Sequence, residues 1–247
     1  MKSAIRAGLA TSGLVLSLLC LPPSSSVAQS QPGFHPDFEG VWEPVGGANF
    51  DPTARDLPDN KGRSSSEWRD YPPYNAEYEA KYDKIVTDVR KGVAVEDGSA
   101  NCLPQGMPRM MVINYPIDIV VQPKRTIMLF EPLSQRRIIN TDGRPHSKLD
   151  DLDPTFSGES IGHWEGDTLV VDTISIRNET SFDVSVAPHS DALHFVERIR
   201  RVGDNLEDKF VVDDPKAFTK PWLITRVYKR HPGLELKEFV CENARKQ

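Results

Sequence analysis

From residue 112 onward, apolar and polar residues alternate along the chain with the period of two that half-buried β-strands show. Short turn-like sequences such as "EGD", "VGDN" and "HPG" separate these segments, which favours antiparallel neighbours. An earlier strand-like piece, "FEGVWEP", lies at 38–44. The predicted strands are 117–122, 126–131, 136–141, 161–164, 168–176, 193–201, 206–212, 222–230 and 234–241.

One segment, 75–91, has helical rather than strand-like spacing of its aromatic and branched residues. Asn75 can cap the start of this helix and Gly92 can end it. Many antiparallel strands with a single lid-like helix are typical of a barrel or a sandwich. The pattern therefore predicts a mainly β fold, an antiparallel barrel, with a β-sandwich as the alternative.

The N-terminal sequence predicts export. A short basic stretch precedes an apolar run at 7–21 that is too short to span a bilayer comfortably. Ser26 and Ala28 supply the small residues that signal peptidase requires before a cleavage site. We therefore expect a signal peptide at 1–28 and a single β-rich domain with an irregular N-terminal segment at 29–247, in the periplasm or outside the cell. No later segment is apolar enough to predict membrane insertion.

Charge narrows the choice of partner. The 247 residues carry a net charge of −6, and Lys2 and Arg6 lie in the predicted signal peptide, so the mature chain is more acidic still. A strongly acidic chain disfavours nucleic acid and anionic membranes as partners. A small-molecule ligand or substrate is the partner that we expect, and the oligomeric state stays open.

Five predicted strands each carry one charged residue within an otherwise apolar row of alternate positions. These residues are Asp172, Glu197, Asp208, Arg226 and Glu238. A charge in a packed row is costly unless it is paired or lines a wet cavity. One interpretation is a polar floor inside the barrel, and the other is a set of structural ion pairs. The rows of some strands can also lie on the outer face.

The hairpin sequence "SIGHWEGDTLVVDT" at 160–173 raises the possibility of a His–carboxylate pair. A two-residue turn at Gly166 and Asp167 pairs His163 with Val170 and places His163 diagonal to Asp172 on one face. A turn shifted by one residue separates the two side chains by roughly 13 Å. A three-residue loop puts them on opposite faces. One of these three registers makes the pair.

Two cysteines, Cys102 and Cys241, lie beyond the predicted signal peptide. Two lone cysteines in an oxidising compartment most often form a bridge. The alternative, a nucleophilic cysteine, is less favoured because neither has a neighbouring histidine.

The spacing of the histidine and acidic residues matches no standard metal site, and no nucleotide-binding motif is present, so we expect no metal and no cofactor. Arg144, in the turn "TDGRPH", is a candidate for gripping a carboxylate or another anionic group.

Several motifs together resemble a large family of secreted bacterial proteins, most of which are described as hypothetical. The similar stretches run in order from about residue 101 to 243 and are "NCLPQGMPR", "RRIINTDGRPH", "SIGHWEGDTLVVDT", "HSDALHFVERIRR", "DDPKAFTKPW" and "FVCEN". The resemblance implies that Cys102 and Cys241 both belong to the family pattern, which strengthens the disulfide interpretation. It supplies no catalytic residue. More loosely, "GVW" at 40–42 ahead of antiparallel strands resembles the start of a lipocalin-type barrel, a shape that binds hydrophobic ligands.

The leading functional hypothesis is cofactor-independent acid–base chemistry on a small organic molecule, of the lyase, isomerase or hydrolase type. Glu197 and Asp172 are the candidate bases, Arg226 the candidate anion partner and His163 a candidate proton shuttle. Asp208, Glu238, Arg144 and Tyr228 are the candidate substrate-binding residues. The alternative is a non-catalytic barrel that binds a hydrophobic small molecule. A third class is an extracellular interaction module that uses the loops at 143–159 and 177–192.

Overall fold

The computed structural model describes residues 35–46, 72–95 and 97–241, and the predicted signal peptide lies outside them. Nine strands of this part of the chain form a closed barrel in sequence order. The strands are β1 (Gly40–Pro44), β2 (Ile117–Gln122), β3 (Arg125–Phe130), β4 (Gln135–Asn140), β5 (Glu159–Glu165), β6 (Thr168–Ile174), β7 (His194–Val202), β8 (Asn205–Asp213) and β9 (Trp222–Arg230). The structure therefore confirms the predicted barrel and not the sandwich.

Neighbouring strands are antiparallel except for β4 and β5, which run parallel. The long connection at 141–158 lets the chain return to the same end of the barrel before β5 begins. Gly158 makes this entry into β5 possible, because its φ is +67° and an added Cβ would lie 2.7 Å from the carbonyl oxygen of Ile174.

The predicted strand at 234–241 is wrong. Residues 234–241 have no regular secondary structure, and Glu238 is exposed. The reason lies in the pairing of β9, which has β8 on one side and β1 on the other. Because β1 already occupies the free edge of β9, the barrel closes without a further strand.

Alternate residues of the strands fill the barrel with large apolar side chains. On β7 and β8, Phe195, Ile199, Leu206 and Phe210 all point inward and are at most 2% exposed. Trp42 of β1 is fully buried and donates its indole hydrogen bond to the carbonyl of Phe38, at 2.9 Å. The interior is thus a packed core, into which a few polar side chains are set.

The predicted helix is present as α1 (Ala76–Arg90). The side chain of Asn75 caps it as expected, accepting hydrogen bonds from the backbone N–H groups of Glu77 and Tyr78 at 3.1 Å each. Tyr82 is the buried contact of the helix, and its ring packs 5.7 Å from that of Tyr74. No helix among the described residues is long and apolar enough to cross a bilayer.

Two long-range features hold the loops against one end of the barrel. The predicted disulfide between Cys102 and Cys241 is present, and their Cα atoms lie 5.7 Å apart. The segment 106–113, called the cap segment below, buries Met107 and Met110 against the core. Its backbone carbonyls also accept hydrogen bonds from side chains of β9.

Candidate functional site

The barrel interior contains a fully buried ion pair between Arg137 of β4 and Glu197 of β7. Arg137 donates from Nη1 to Oε1 of Glu197 at 2.8 Å and from Nη2 to Oε2. The same guanidinium donates to the hydroxyls of Ser160 at 3.1 Å and Thr173 at 2.8 Å. Two parallel hydrogen bonds of this kind are the bidentate geometry in which arginine binds a carboxylate.

Asp208 and Arg226 lie beside this pair as directly opposite residues of β8 and β9. Burial raises the pKa of Asp208 well above its ordinary value, and the charge of Glu197 raises it further. Neither carboxyl oxygen of Asp208 accepts a hydrogen bond from any donor among the described residues. These two observations agree if Asp208 is a neutral acid that donates its proton towards Glu197.

Arg226 and Tyr228 connect this cluster to the cap segment. Arg226 donates from Nη2 to the carbonyl of Val112 at 3.2 Å, and the Tyr228 hydroxyl donates to the carbonyl of Met111 at 2.6 Å. Burial lowers the pKa of Arg226 and raises that of Tyr228. The structure therefore brings together the predicted residues Glu197, Asp208, Arg226 and Tyr228, although all are at most 1% exposed.

Asp172 lies outside the barrel, contrary to the sequence-based interpretation that it joins the interior cluster. The inward row of β6 is Leu169, Val171 and Thr173, so Asp172 points outward and is 40% exposed. Of the three registers that the sequence left open, the structure has the two-residue turn at Gly166 and Asp167, since His163 pairs with Val170 and Gly166 has a φ of +61°.

His163 does not contact Asp172. Its Nε2 lies 3.1 Å from Oε1 of Glu165 instead, and the ring is 64% exposed. The hairpin is thus well formed, but the His163–Asp172 pair is absent.

Asp172 contacts two other histidines on the outer wall. Its Oδ1 lies 3.1 Å from Nε2 of His146 and 2.9 Å from Nε2 of His194. The other ring nitrogen of His146, Nδ1, lies 2.8 Å from Oε2 of Glu159. We call Glu159, His146, Asp172 and His194 the wall cluster. No group of three or more His, Cys, Asp or Glu side chains in the described part of the chain is arranged to hold a metal ion.

A partly enclosed cleft of about 380 Å³, called the end cleft below, lies between the loop at 97–109 and the residues around 180. Its lining includes Asp97, Leu103, Gln105, Arg109, Phe156, Glu179 and Ser181. Gly106, with a φ of +70°, brings the loop against Phe156, whose carbonyl accepts a hydrogen bond from the N–H of Met107 at 2.7 Å.

Arg109 is the buried charge of the end cleft. It donates from Nη1 and Nη2 to the two carboxyl oxygens of Asp97, at 3.0 and 2.8 Å. Burial opposes ionisation of Asp97, but hydrogen bonds from Arg109 and Ser99 outweigh this effect and lower its pKa. Nε of Arg109 and Oε1 of Gln105 are buried without a hydrogen-bond partner among the described residues.

The other predicted binding residues lie apart from the barrel interior and from the end cleft. Arg144 is exposed on the outer wall and grips Asp142 with its Nε and Nη2 atoms. Glu238 is on the surface of the C-terminal segment. Sequence reasoning missed Arg137 and Arg109. For Arg137 no local signal was available, because each alternating row of β4 contains one arginine and one isoleucine.

The comparisons with known proteins find similarity at the level of structure and none at the level of sequence families. No protein-family model and no curated protein matches the chain. Among solved structures, the chain is similar to the "REP1-NXSQ fatty acid transporter", with 12% sequence identity over 81% of this chain and 100% of that chain, and a TM-score of 0.37. Similarity at this level says nothing about what this chain binds.

Proposed function

We propose that the protein binds a small organic molecule in the end cleft. The observation that carries the proposal is the pair of buried atoms beside the cleft, Nε of Arg109 and Oε1 of Gln105, that lack a hydrogen-bond partner among the described residues. An unmade hydrogen bond of a buried polar group costs about 1–3 kcal/mol. Both atoms are closed to solvent in this structure, so a ligand that supplies an acceptor and a donor recovers part of that cost only after the side chains of Arg109 and Gln105 turn towards the cleft.

The lining of the end cleft indicates the class of ligand. Its volume of about 380 Å³ lies within the range of small-molecule sites. Phe156 and Leu103 offer apolar contact, whereas Asp97 and Glu179 make the charged lining slightly acidic around Arg109. This balance favours a neutral molecule with an apolar part and an amide or hydroxyl group over an organic anion.

The test uses benzamide and benzoate as a matched neutral and anionic pair of probes, measured by ligand-observed NMR on the mature protein. We expect saturable binding of benzamide, with benzoate weaker. Leu103→Trp should fill the cleft and abolish the signal, since Leu103 is 45% exposed and lines it. Leu149→Trp, at an exposed position away from the cleft, is the control and should bind as the unmodified protein does. Equal binding by both variants would remove the end cleft as the site.

Acid–base chemistry in the barrel interior is the second candidate function. The observation that favours it is the raised pKa of Asp208 beside the charged Glu197, an arrangement that suits proton transfer. Because both groups are fully buried, a substrate reaches them only if the cap segment moves aside. Arg226 is then the anion partner, whereas Asp172 and His163 face outward and do not belong to this site.

Glu197→Gln tests this second function on a substrate that the protein turns over. General acid–base catalysis contributes a factor of about 100 or more, so turnover should fall by at least about tenfold while the circular dichroism spectrum stays unchanged. A variant that is folded and fully active would show that Glu197 is only structural.

A further inference from the structure

A groove of about 550 Å³ runs along the outer wall where β4 and β5 meet. The two strands share two residue pairs, Ile139 with Ser160 and Asn140 with Ile161, whereas β3 and β4 share six. Because the pairing is so short, the backbone diverges beside it and leaves room for the groove. This place is separate from the end cleft and from the barrel interior.

The groove is basic although the chain as a whole is acidic. Arg125, Arg136 and Arg144 line it, together with one carboxylate, Glu159. An adjoining groove of about 460 Å³ shares Arg125 and Arg144 and adds Lys124 and one further carboxylate, Asp142. In a chain with a net charge of −6, this cluster creates a local positive potential that attracts anions.

The wall cluster fixes the loop that carries Arg144. His146, two residues further on, contacts both Glu159 and Asp172. Ser147 adds two hydrogen bonds to Glu159, from its backbone N–H at 3.0 Å and from its hydroxyl at 2.7 Å. These contacts hold the loop against β5 and β6, so that the Arg144 guanidinium stays beside the groove.

Arg144 already binds a carboxylate in the geometry that an external anion would use. Its Nε and Nη2 atoms donate to Oδ1 and Oδ2 of Asp142 at 2.8 and 2.6 Å. The hydrogen bonds from Arg144 lower the pKa of Asp142 to about 2. Since this pair lies at the surface, a ligand with two oxygen atoms can replace the carboxylate of Asp142.

We propose that this groove is a binding site for a small oxyanion of the phosphate or carboxylate class, held by the guanidinium groups of Arg125, Arg136 and Arg144. Arginine suits this task because its planar fork matches two oxygens of a phosphate or carboxylate. The anion is either free or part of a small organic molecule.

Isothermal titration calorimetry at an ionic strength of about 0.1 M, where the Debye length is about 10 Å, tests the proposal with inorganic phosphate and, separately, with citrate. We expect saturable binding of at least one of them, and the tighter of the two identifies the class. The double variant Arg136→Gln with Arg144→Gln should weaken binding by about tenfold or more, because each guanidinium contributes charge-assisted hydrogen bonds.

The matched control is Arg198→Gln with Arg200→Gln, which removes the same charge from exposed positions on β7. It should leave the affinity within about twofold, as expected for surface charges distant from the site. Asp142→Asn releases Arg144 from its internal carboxylate and should strengthen binding. The proposal is overturned if neither anion binds saturably, if the control loses as much affinity as the groove variant, or if Asp142→Asn weakens binding.

Discussion

The described part of the chain contains two clusters of ionisable side chains with very different surroundings. In the barrel interior, Arg137, Glu197 and Asp208 are 0% exposed, and their hydrogen bonds come from other protein side chains. In the wall cluster, the side chains are between 19 and 40% exposed. Both clusters are carried by one barrel and its loops, and the main difference between them is their exposure to solvent.

The exposure of a charged group to solvent determines how much stability is lost when its partner is removed. Water screens and hydrates the wall cluster, so the loss of one contact there costs little. In the interior no water replaces a lost partner, and an unpaired charge keeps its full desolvation cost. The comparison therefore predicts that equivalent substitutions have large effects inside the barrel and small effects on its wall.

The largest expected effect is that of Arg137→Met. It leaves the buried carboxylate of Glu197 without its cation, which should lower the free energy of unfolding by about 3–5 kcal/mol. Urea denaturation followed by circular dichroism measures the change. Arg200→Met removes an exposed arginine and should change the free energy of unfolding by less than about 1 kcal/mol.

A second variant keeps this test specific to the charge. Combining Arg137→Met with Glu197→Leu removes both members of the pair, and this double variant should be more stable than Arg137→Met alone. If Glu197→Leu restores none of the lost free energy of unfolding, the destabilisation by Arg137→Met comes from lost packing. The electrostatic explanation of the interior would then be wrong.

The second prediction concerns the pH dependence that Asp208 imposes. Its pKa is raised in the folded protein, so its contribution to stability is complete below the unfolded-state pKa and is lost as pH rises towards the folded-state value. Above about pH 4, unmodified protein should therefore lose stability relative to Asp208→Asn, by up to about 1.4 kcal/mol per pH unit. Denaturation of both proteins over a pH series measures this difference. A difference that is independent of pH would mean that Asp208 is ionised in the folded state.

The sequence predicted the interior cluster only where one row of a strand was clearly less apolar than the other. On β7 the outward row carries Arg198 and Arg200, so Glu197 was correctly placed inside. On β6 both rows are apolar, since Leu169 and Val171 alternate with Val170 and Ile174. Hydrophobic alternation cannot choose between two such rows, and Asp172 was assigned to the wrong face.

Other features depend on contacts between distant parts of the chain. In "QRRIIN", each row of β4 contains one arginine and one isoleucine, so nothing local marks Arg137 as the buried partner of Glu197. The end cleft joins three separate loops, and the closing strand β1 lies far upstream of the strands that it joins. Strand periodicity contains no information on such pairings, which explains both the missed residues and the erroneous strand at 234–241.

The smallest expected effect is that of His146→Gln on the wall. Both ring nitrogens of His146 contact carboxylate oxygens, whereas the amide of a glutamine can donate to only one side of the gap between Glu159 and Asp172. The loop keeps its two hydrogen bonds from Ser147, so the free energy of unfolding should fall by no more than about 1 kcal/mol. His163→Gln, at a more exposed histidine with a single carboxylate contact, is the control and should have almost no effect. A decrease in the free energy of unfolding for His146→Gln as large as that for Arg137→Met would contradict the expected difference between interior and wall. It would mean that the wall cluster is as poorly hydrated as the interior.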